Sequence, residues 1–319
     1  MTQHADPAPQ ADPEASGGHD PHVTVVIATR DRRELLGVAL RAVAAQDWVG
    51  TLDVVLVYDQ VPVDAEPPAP PGLEVLAVPN SRTPGLAGAR NTGVLAARGQ
   101  LVAFCDDDDA WQPDKLRRQV ARLRAEPGAG AVVTGIRVRY GDTVVERVPA
   151  VDRLGADLTT SRMTGAHPSS YLVRRDLLTG EVGLVDEDLP GGYGEDYDLL
   201  LRLVRVAPVL VEQAPLVDVL WHRGSFFSRR WLSMAEGLAY LVAKHPDLSR
   251  DARGSAWLAG QRAFALAAAG RRREAAGLAL RAWRRDPRQM RAPLALAVAA
   301  GVLSPERVVH ELNRRGRGI

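Results

Sequence analysis

The chain of 319 residues has one cysteine, almost no net charge and no long apolar run. A single thiol, Cys105, excludes an internal disulfide and points to a reducing compartment. Forty basic residues against thirty-nine acidic ones leave a formal charge of +1, which removes any general electrostatic case for nucleic acid as a partner. The longest apolar stretch, APLALAVAAGVL at 292–303, falls short of the roughly 18 residues a membrane span needs. Residues 1–21, rich in Pro, Ala, Asp and Gly, lack a basic n-region and an apolar h-region and read as a disordered leader. These features lead to the expectation of a cytoplasmic protein without a transmembrane segment. Phosphate-binding signatures are missing too. No GxxxxGK[ST] loop occurs, and GLAGARNTG has the wrong glycine spacing for a dinucleotide fingerprint.

What is present is a series of buried strands alternating with helices. VTVVIAT (23–29), DVVLVYD (53–59), LEVLAVPN (73–80) and LVAFC (101–105) are apolar, largely β-branched runs. RRELLGVALRAVAAQ and GLAGARNTGVLAARG between them carry helical spacing or a helical stop. Strands without polar alternation, separated by helices, predict an α/β fold with a mostly parallel sheet covered on both faces. Ligands of such sheets sit at the carboxyl ends of the strands. AVVTGIRVRY and TVVERVPA read as a hairpin around Gly141-Asp142, GEDYDLLLRLVRVA (194–207) as an amphipathic helix, and VLVEQAPLVDVLWHRG as extended chain. From about residue 230 only helical patterns follow.

Four consecutive aspartates, Asp106 to Asp109, stand where the fourth strand ends. One of them can cap the helix predicted over DAWQPDKLRRQVARLRAE; three surplus carboxylates call for a cation. A calcium loop of the EF-hand type fails, because it would need Gly at position 111 and Glu at position 117, where the chain has Trp111 and Arg117. Mg2+ or Mn2+ held by one or two carboxylates together with substrate phosphates fits the pattern, which makes a nucleotide diphosphate the expected ligand. Arg90 is a candidate phosphate partner. Glu195 and Asp196, behind Gly191, Gly192 and Gly194, are candidates for a general base or for an acidic first helical turn. His222, between Trp221 and Arg223, is a candidate imidazole ligand or a structural histidine.

Taken together, these stretches resemble glycosyltransferase family 2, inverting enzymes of the GT-A fold. VTVVIATRDRRELLGVALRAVAAQDW is similar to that family's opening strand and helix. PGLAGARNTGVLAARGQLVAFCDDDDAWQPDKL is similar to its Ala-Arg-Asn-x-Gly helix and DxD motif, and EVGLVDEDLPGGYGEDYDLLLRL to its Glu-Asp segment. The resemblance covers about 23–228. It implies a metal-dependent transfer of a sugar from a nucleotide-diphosphate donor to an acceptor hydroxyl. Thr29, Arg32, Asp59, Arg90, Asp106 and Asp107 would then bind the donor, and Asp106, Asp108 and His222 a divalent cation, Mn2+ or Mg2+, with Asp109 in support. Asp196, with Glu195, would be catalytic. Trp111 and Tyr193 are assigned to the acceptor, which is a sugar, a lipid-linked molecule or a small molecule. Ala28, Tyr58, Gln60 and Val185 depart from the family's usual residues, mostly on the nucleotide side. The competing readings are a catalytically degenerate scaffold and a phosphatase of the haloacid-dehalogenase type; the latter normally has Thr or Val where this chain has Ala110.

The expected organisation is a leader at 1–21, a GT-A domain at 22–229 and an all-α extension at 230–319. Within the extension, Ala263, Ala275, Ala282, Gly270 and Pro287 suggest one tetratricopeptide-like hairpin over 257–287. Its crowded arginines offer either a solvated face or a peripheral membrane contact.

Overall fold

The computed structural model describes residues 20–163, 165–221 and 230–314. In chain order the elements are β1 (Val23–Thr29), α1 (Arg33–Ala44), β2 (Leu52–Tyr58), β3 (Glu74–Pro79), α2 (Leu86–Ala96), β4 (Leu101–Asp106) and β5 (Ala110–Trp111). There follow α3 (Lys115–Ala125), β6 (Ala131–Tyr140), β7 (Thr143–Arg147), β8 (Arg153–Leu154), α4 (Asp157–Thr160), β9 (Leu172–Arg174), α5 (Arg175–Thr179), α6 (Glu195–Val206) and β10 (Val209–Leu220). The helices α7 (Trp231–Lys244), α8 (Ala252–Ala268), α9 (Arg272–Arg285), α10 (Arg291–Ala299) and α11 (Pro305–Arg314) close the described chain. The leader expected at 1–21 lies outside the described residues apart from its last two.

All ten strands form one sheet in the order β3-β2-β1-β4-β9-β6-β10-β5, with β7 on β6 and β8 on β10. β3, β2, β1 and β4 are parallel, as their uninterrupted apolar runs predict. The pleat sends alternate side chains to opposite faces. Val25 and Ile27 meet Leu36 and Leu40 of α1 on one face, whereas Val26 and Phe104 join the core on the other. Gly93 lets α2 lie against the sheet, since a Cβ there would stand 2.2 Å from Val26 Cγ1.

Beyond β4 the sheet is mixed. The three-residue β9 runs antiparallel between β4 and β6, so its start lies beside the end of β4. The turn at 168–170 just before β9 is thereby delivered to the carboxyl edge where the aspartates stand. After those aspartates the chain does not enter a helix at once. β5 pairs antiparallel with β10, Trp111 opposite Val217, and α3 begins only at Lys115.

The helical extension shares its core with the sheet domain. Met234 and Leu238 of α7 lie in one apolar cluster with Tyr197 and Leu201 of α6, and with Trp257 and Phe264 of α8. Tyr197 and Trp257 meet edge to face, centroids 6.4 Å apart. Asp198 of α6 is fully buried and accepts hydrogen bonds from His245 Nε2 at 2.7 Å and Arg202 Nε at 2.8 Å. Ala263, Ala275 and Ala282 are buried within the helical layer formed by α8 and α9, and Gly270 between the two helices takes φ +81°. α10 packs on both helices. No helix among the described residues is long and apolar enough to cross a membrane.

Candidate active site

The site gathers at the carboxyl ends of β1, β2 and β4, with the start of α6 opposite. The four aspartates occupy a tight turn, closed by the Asp109 amide on the Asp106 carbonyl. Their side chains therefore diverge. Asp107 Oδ2 accepts from Thr29 Oγ1 at 2.8 Å. Arg32 Nη1 reaches Asp107 Oδ1 at 3.1 Å and Asp108 Oδ2 at 2.8 Å. Asp106 Oδ1 accepts from Arg90 Nη2 at 2.6 Å. Asp109, buried, accepts from Ser169 Oγ at 2.5 Å and from the Leu220 amide at 3.4 Å. The helix-cap reading of this carboxylate is thus corrected: the residue preceding α3 is Asp114, and Asp109 faces inward to the turn before β9.

Electrostatics explain why the cluster is tolerated. Burial pushes the Asp109 carboxyl well above its ordinary range, with the charges of Asp106 and Asp108 adding to the effect. Burial also lifts Asp107, to about 6, against the pull of Thr29 and Arg32. Asp106 goes the other way: although burial opposes it, the Arg90 guanidinium holds it below the usual carboxylate range. Burial lowers His167, favouring the neutral imidazole that ligates metals.

Ligand atoms of Asp106, Asp109 and His167 all lie within 4.8 Å of one another. Two carboxylates and one imidazole form a donor set suited to a hard or borderline divalent cation such as Mn2+. His167 was missed in the sequence. It stands in an otherwise unremarkable GAHPSS stretch, and only the antiparallel insertion of β9 brings it here. Of the expected metal ligands, Asp106 belongs to this group, Asp108 pairs with Arg32 instead, and His222 lies outside the described residues.

Several expected roles change. Arg90 was expected at the diphosphate, but it is 4% exposed and both guanidinium ends are engaged, Nη2 by Asp106 and Nη1 by Glu195. It bridges β4 to α6. Glu195, expected to be catalytic, is the other end of that bridge and is buried; desolvation lifts it to about 7 although Arg90 opposes. Asp59 is enclosed by Asn80 Nδ2 at 2.8 Å, Gln60 Nε2 at 2.8 Å and the Gly85 amide at 3.0 Å, and so fixes the turn that enters α2. Trp111 offers no free face to an acceptor: it is 4% exposed, and Lys115 Nζ lies 3.6 Å from its ring centroid. Tyr193 is also buried, its ring 5.3 Å from the Arg162 guanidinium carbon.

Asp196 is differently placed. Gly194, at φ +89°, turns the chain sharply into α6 and sets the two acids on its first turn. Arg162 Nη2 donates to Asp196 Oδ1 at 2.6 Å. Oδ2 has no hydrogen-bond partner among the described residues, and it is not sealed from solvent. Burial would discharge Arg162, but Asp196, Tyr193 and Glu195 hold its guanidinium more firmly charged than usual. Arg162 too was missed in the sequence, where it is one arginine in a polar loop.

A model of the family described as Glycosyl transferase family 2 matches residues 24–179. Residues 24–179 are thus a glycosyl transferase family 2 domain. Succinoglycan biosynthesis protein ExoO of Rhizobium meliloti is 38% identical over 197 residues, 56% of this chain and 55% of that protein. The chain thus spans about half the length of that relative. Among solved structures, residues 1–349 of S. aureus TarS in complex with UDP-GlcNAc share the fold at TM-score 0.59 and 17% identity, over 93% of this chain and 92% of that one. Mannosyltransferase PcManGT from Pyrobaculum calidifontis, in complex with GDP-Man and Mn2+, does so at TM-score 0.58 and 19% identity, over 93% and 85%. The family domain therefore has the GT-A arrangement of a sheet flanked by helices, followed by a helical extension.

Proposed function

We propose that the protein is a metal-dependent, inverting glycosyltransferase that moves a sugar from a nucleotide-diphosphate donor to an acceptor hydroxyl, with Asp196 as general base. The observation that carries this reading is the state of Asp196: one oxygen anchored by Arg162, the other unpartnered, on the helix start that Arg90 ties to Asp106. A base needs that combination of fixed orientation and a vacant lone pair within reach of the acceptor proton. Asp106, Asp109 and His167 would hold the cation. When bound, a divalent cation supplies Lewis-acid stabilisation of the charge that develops on the leaving diphosphate.

The chain's own groups do the rest. Arg32, partly exposed beside Asp107 and Asp108, is the arginine that can turn to a phosphate, a role that the buried Arg90 cannot take. Asp196 Oδ2 accepts the acceptor's proton as its oxygen attacks the anomeric carbon from the face opposite the diphosphate, which inverts the configuration. Nucleotide sugars in the two solved relatives support this donor class, and the succinoglycan role in the name of ExoO supports a glycan acceptor.

Calorimetric titration of UDP-, GDP- and dTDP-sugars with and without Mn2+ tests the reading, using wild type, Asp106→Ala and Asp196→Asn. The expected result is one donor class that binds only with metal, loses binding in Asp106→Ala and keeps it in Asp196→Asn while transfer stops. Absence of binding for every donor under both conditions would overturn it.

A further inference from the structure

Away from the aspartates, α7, α8 and α9 enclose a cavity of about 270 Å³, at the small end of ligand pockets. Leu238, Leu258 and Leu278, one from each helix, make its walls apolar, and Arg262, Arg281 and Arg285 line it as well. No acidic residue lines it. Three arginines thus border one largely apolar space, Arg281 and Arg285 at its exposed side.

None of the three is ion-paired among the described residues. Arg285 Nη2 donates to the Ser249 carbonyl at 3.0 Å, and Arg262 Nε is buried without a hydrogen-bond partner. Arg281 and Arg285 stand four residues apart on α9, a spacing at which like charges destabilise a helix. Solvent screens the exposed Arg281–Arg285 pair, but the buried Arg262 donor is left uncompensated, a cost that an apolar or uncharged residue there would avoid. An anion supplies that compensation, and guanidinium forks match phosphate oxygens in particular.

We propose that this cavity is a binding site for a phosphate ester with a hydrocarbon portion, the phosphate held by Arg262, Arg281 and Arg285 and the hydrocarbon by the leucine walls. The site is independent of the sugar-transfer reading, since none of its residues belongs to the aspartate cluster or to the Asp196 end of α6. An anionic amphiphile held here would attach the helical extension to the molecule or surface that carries it.

The test is calorimetric titration of the full chain, without added metal, with octyl phosphate below its micelle concentration, inorganic phosphate and octyl glucoside. Two variants accompany wild type: Arg281→Gln/Arg285→Gln, at exposed positions, and the cavity-filling Ala259→Leu, each checked for an unchanged thermal midpoint. The expected result is saturable one-to-one binding of octyl phosphate, at least about tenfold tighter than either control, and weakened at least about tenfold in each folded variant. Equal affinity for inorganic phosphate would show a simple anion site, and equal affinity for octyl glucoside a simple apolar one. Either result overturns the proposal, as does wild-type affinity in the arginine variant.

Discussion

Arg162 Nη2 lies 2.6 Å from Asp196 Oδ1, and the Tyr193 ring covers the same guanidinium at 5.3 Å. A carboxylate at the start of a helix is free to rotate; this one is held in one rotamer by a cation that is itself held by an aromatic face. Replacing Asp196 by Asn keeps the shape and removes the proposed base, so kcat should fall about a hundred- to ten-thousand-fold with donor affinity nearly intact. Equal loss of donor binding in a titration would show that Asp196 acts on the donor instead.

With Asp196 as the proposed base, the same geometry makes Arg162 its positioning residue. Arg162→Ala should lower kcat and leave the donor KM unchanged. Arg162→Lys, which restores the charge without the planar fork, should recover part of the rate. A purely structural role would instead lower the thermal midpoint of both variants without separating kcat from KM.

The Asp106–Asp109–His167 group ties the proposed metal dependence to named residues. Chelation should abolish transfer, and Mn2+ should restore it. His167→Gln should raise the Mn2+ concentration for half-activation by about tenfold or more, since even residues behind the ligands change metal affinity by about that factor. Metal activation unchanged in this variant would remove His167 from the ligand set.

Arg90 joins Asp106 to Glu195 across the interior, which makes its loss worse than the loss of the whole bridge. Arg90→Leu leaves the buried Glu195 and the part-buried Asp106 without their cation and should destabilise by about 3–5 kcal/mol, whereas Arg90→Leu with Glu195→Leu should recover much of that. Denaturant midpoints of the single and double variants measure the difference, and an equally unstable double variant would show that Glu195 has a further partner.

Much of this was legible in the chain. β1, β2 and β4 announce themselves as β-branched runs whose faces are buried on both sides, and the hairpin of β6 and β7 follows from Gly141-Asp142. β9 was not legible, because three residues carry no period, and its place depends on pairing with strands at 101–103 and 131–132. His167 was lost with it. The burial of Arg90 had a signal that was not used: Ala87, Gly88, Ala89 and Gly93 give α2 a surface so small that it lies close on the sheet, where a long side chain on that face must be enclosed. Asp196 and Glu195 look alike in sequence, and only the partners, Arg162 for one and Arg90 for the other, separate the proposed base from a strut.

The seam between α6 and the helical extension should be the acid-labile part of the fold. Asp198, fully buried, is held far below the ordinary range: burial opposes this, but His245, Lys244 and Arg202 prevail. Asp186, against Lys244 and Tyr240, and Asp247, against Arg205, are lowered as well. A depressed carboxyl contributes stability that is complete above its unfolded value, about 3.9, and is lost as pH falls through the folded value. All three act in the same direction, so the seam's contribution to stability should hold above about pH 5 and decline steadily below about 4. Asp198→Asn should destabilise by about 3–5 kcal/mol at pH 7 and flatten the acid limb, because the variant has no proton to gain there. Denaturant midpoints at pH 7 and pH 3 measure this directly: wild type and variant should differ widely at the first and converge toward the second. A constant difference at both would mean that Asp198 supports the seam through packing alone.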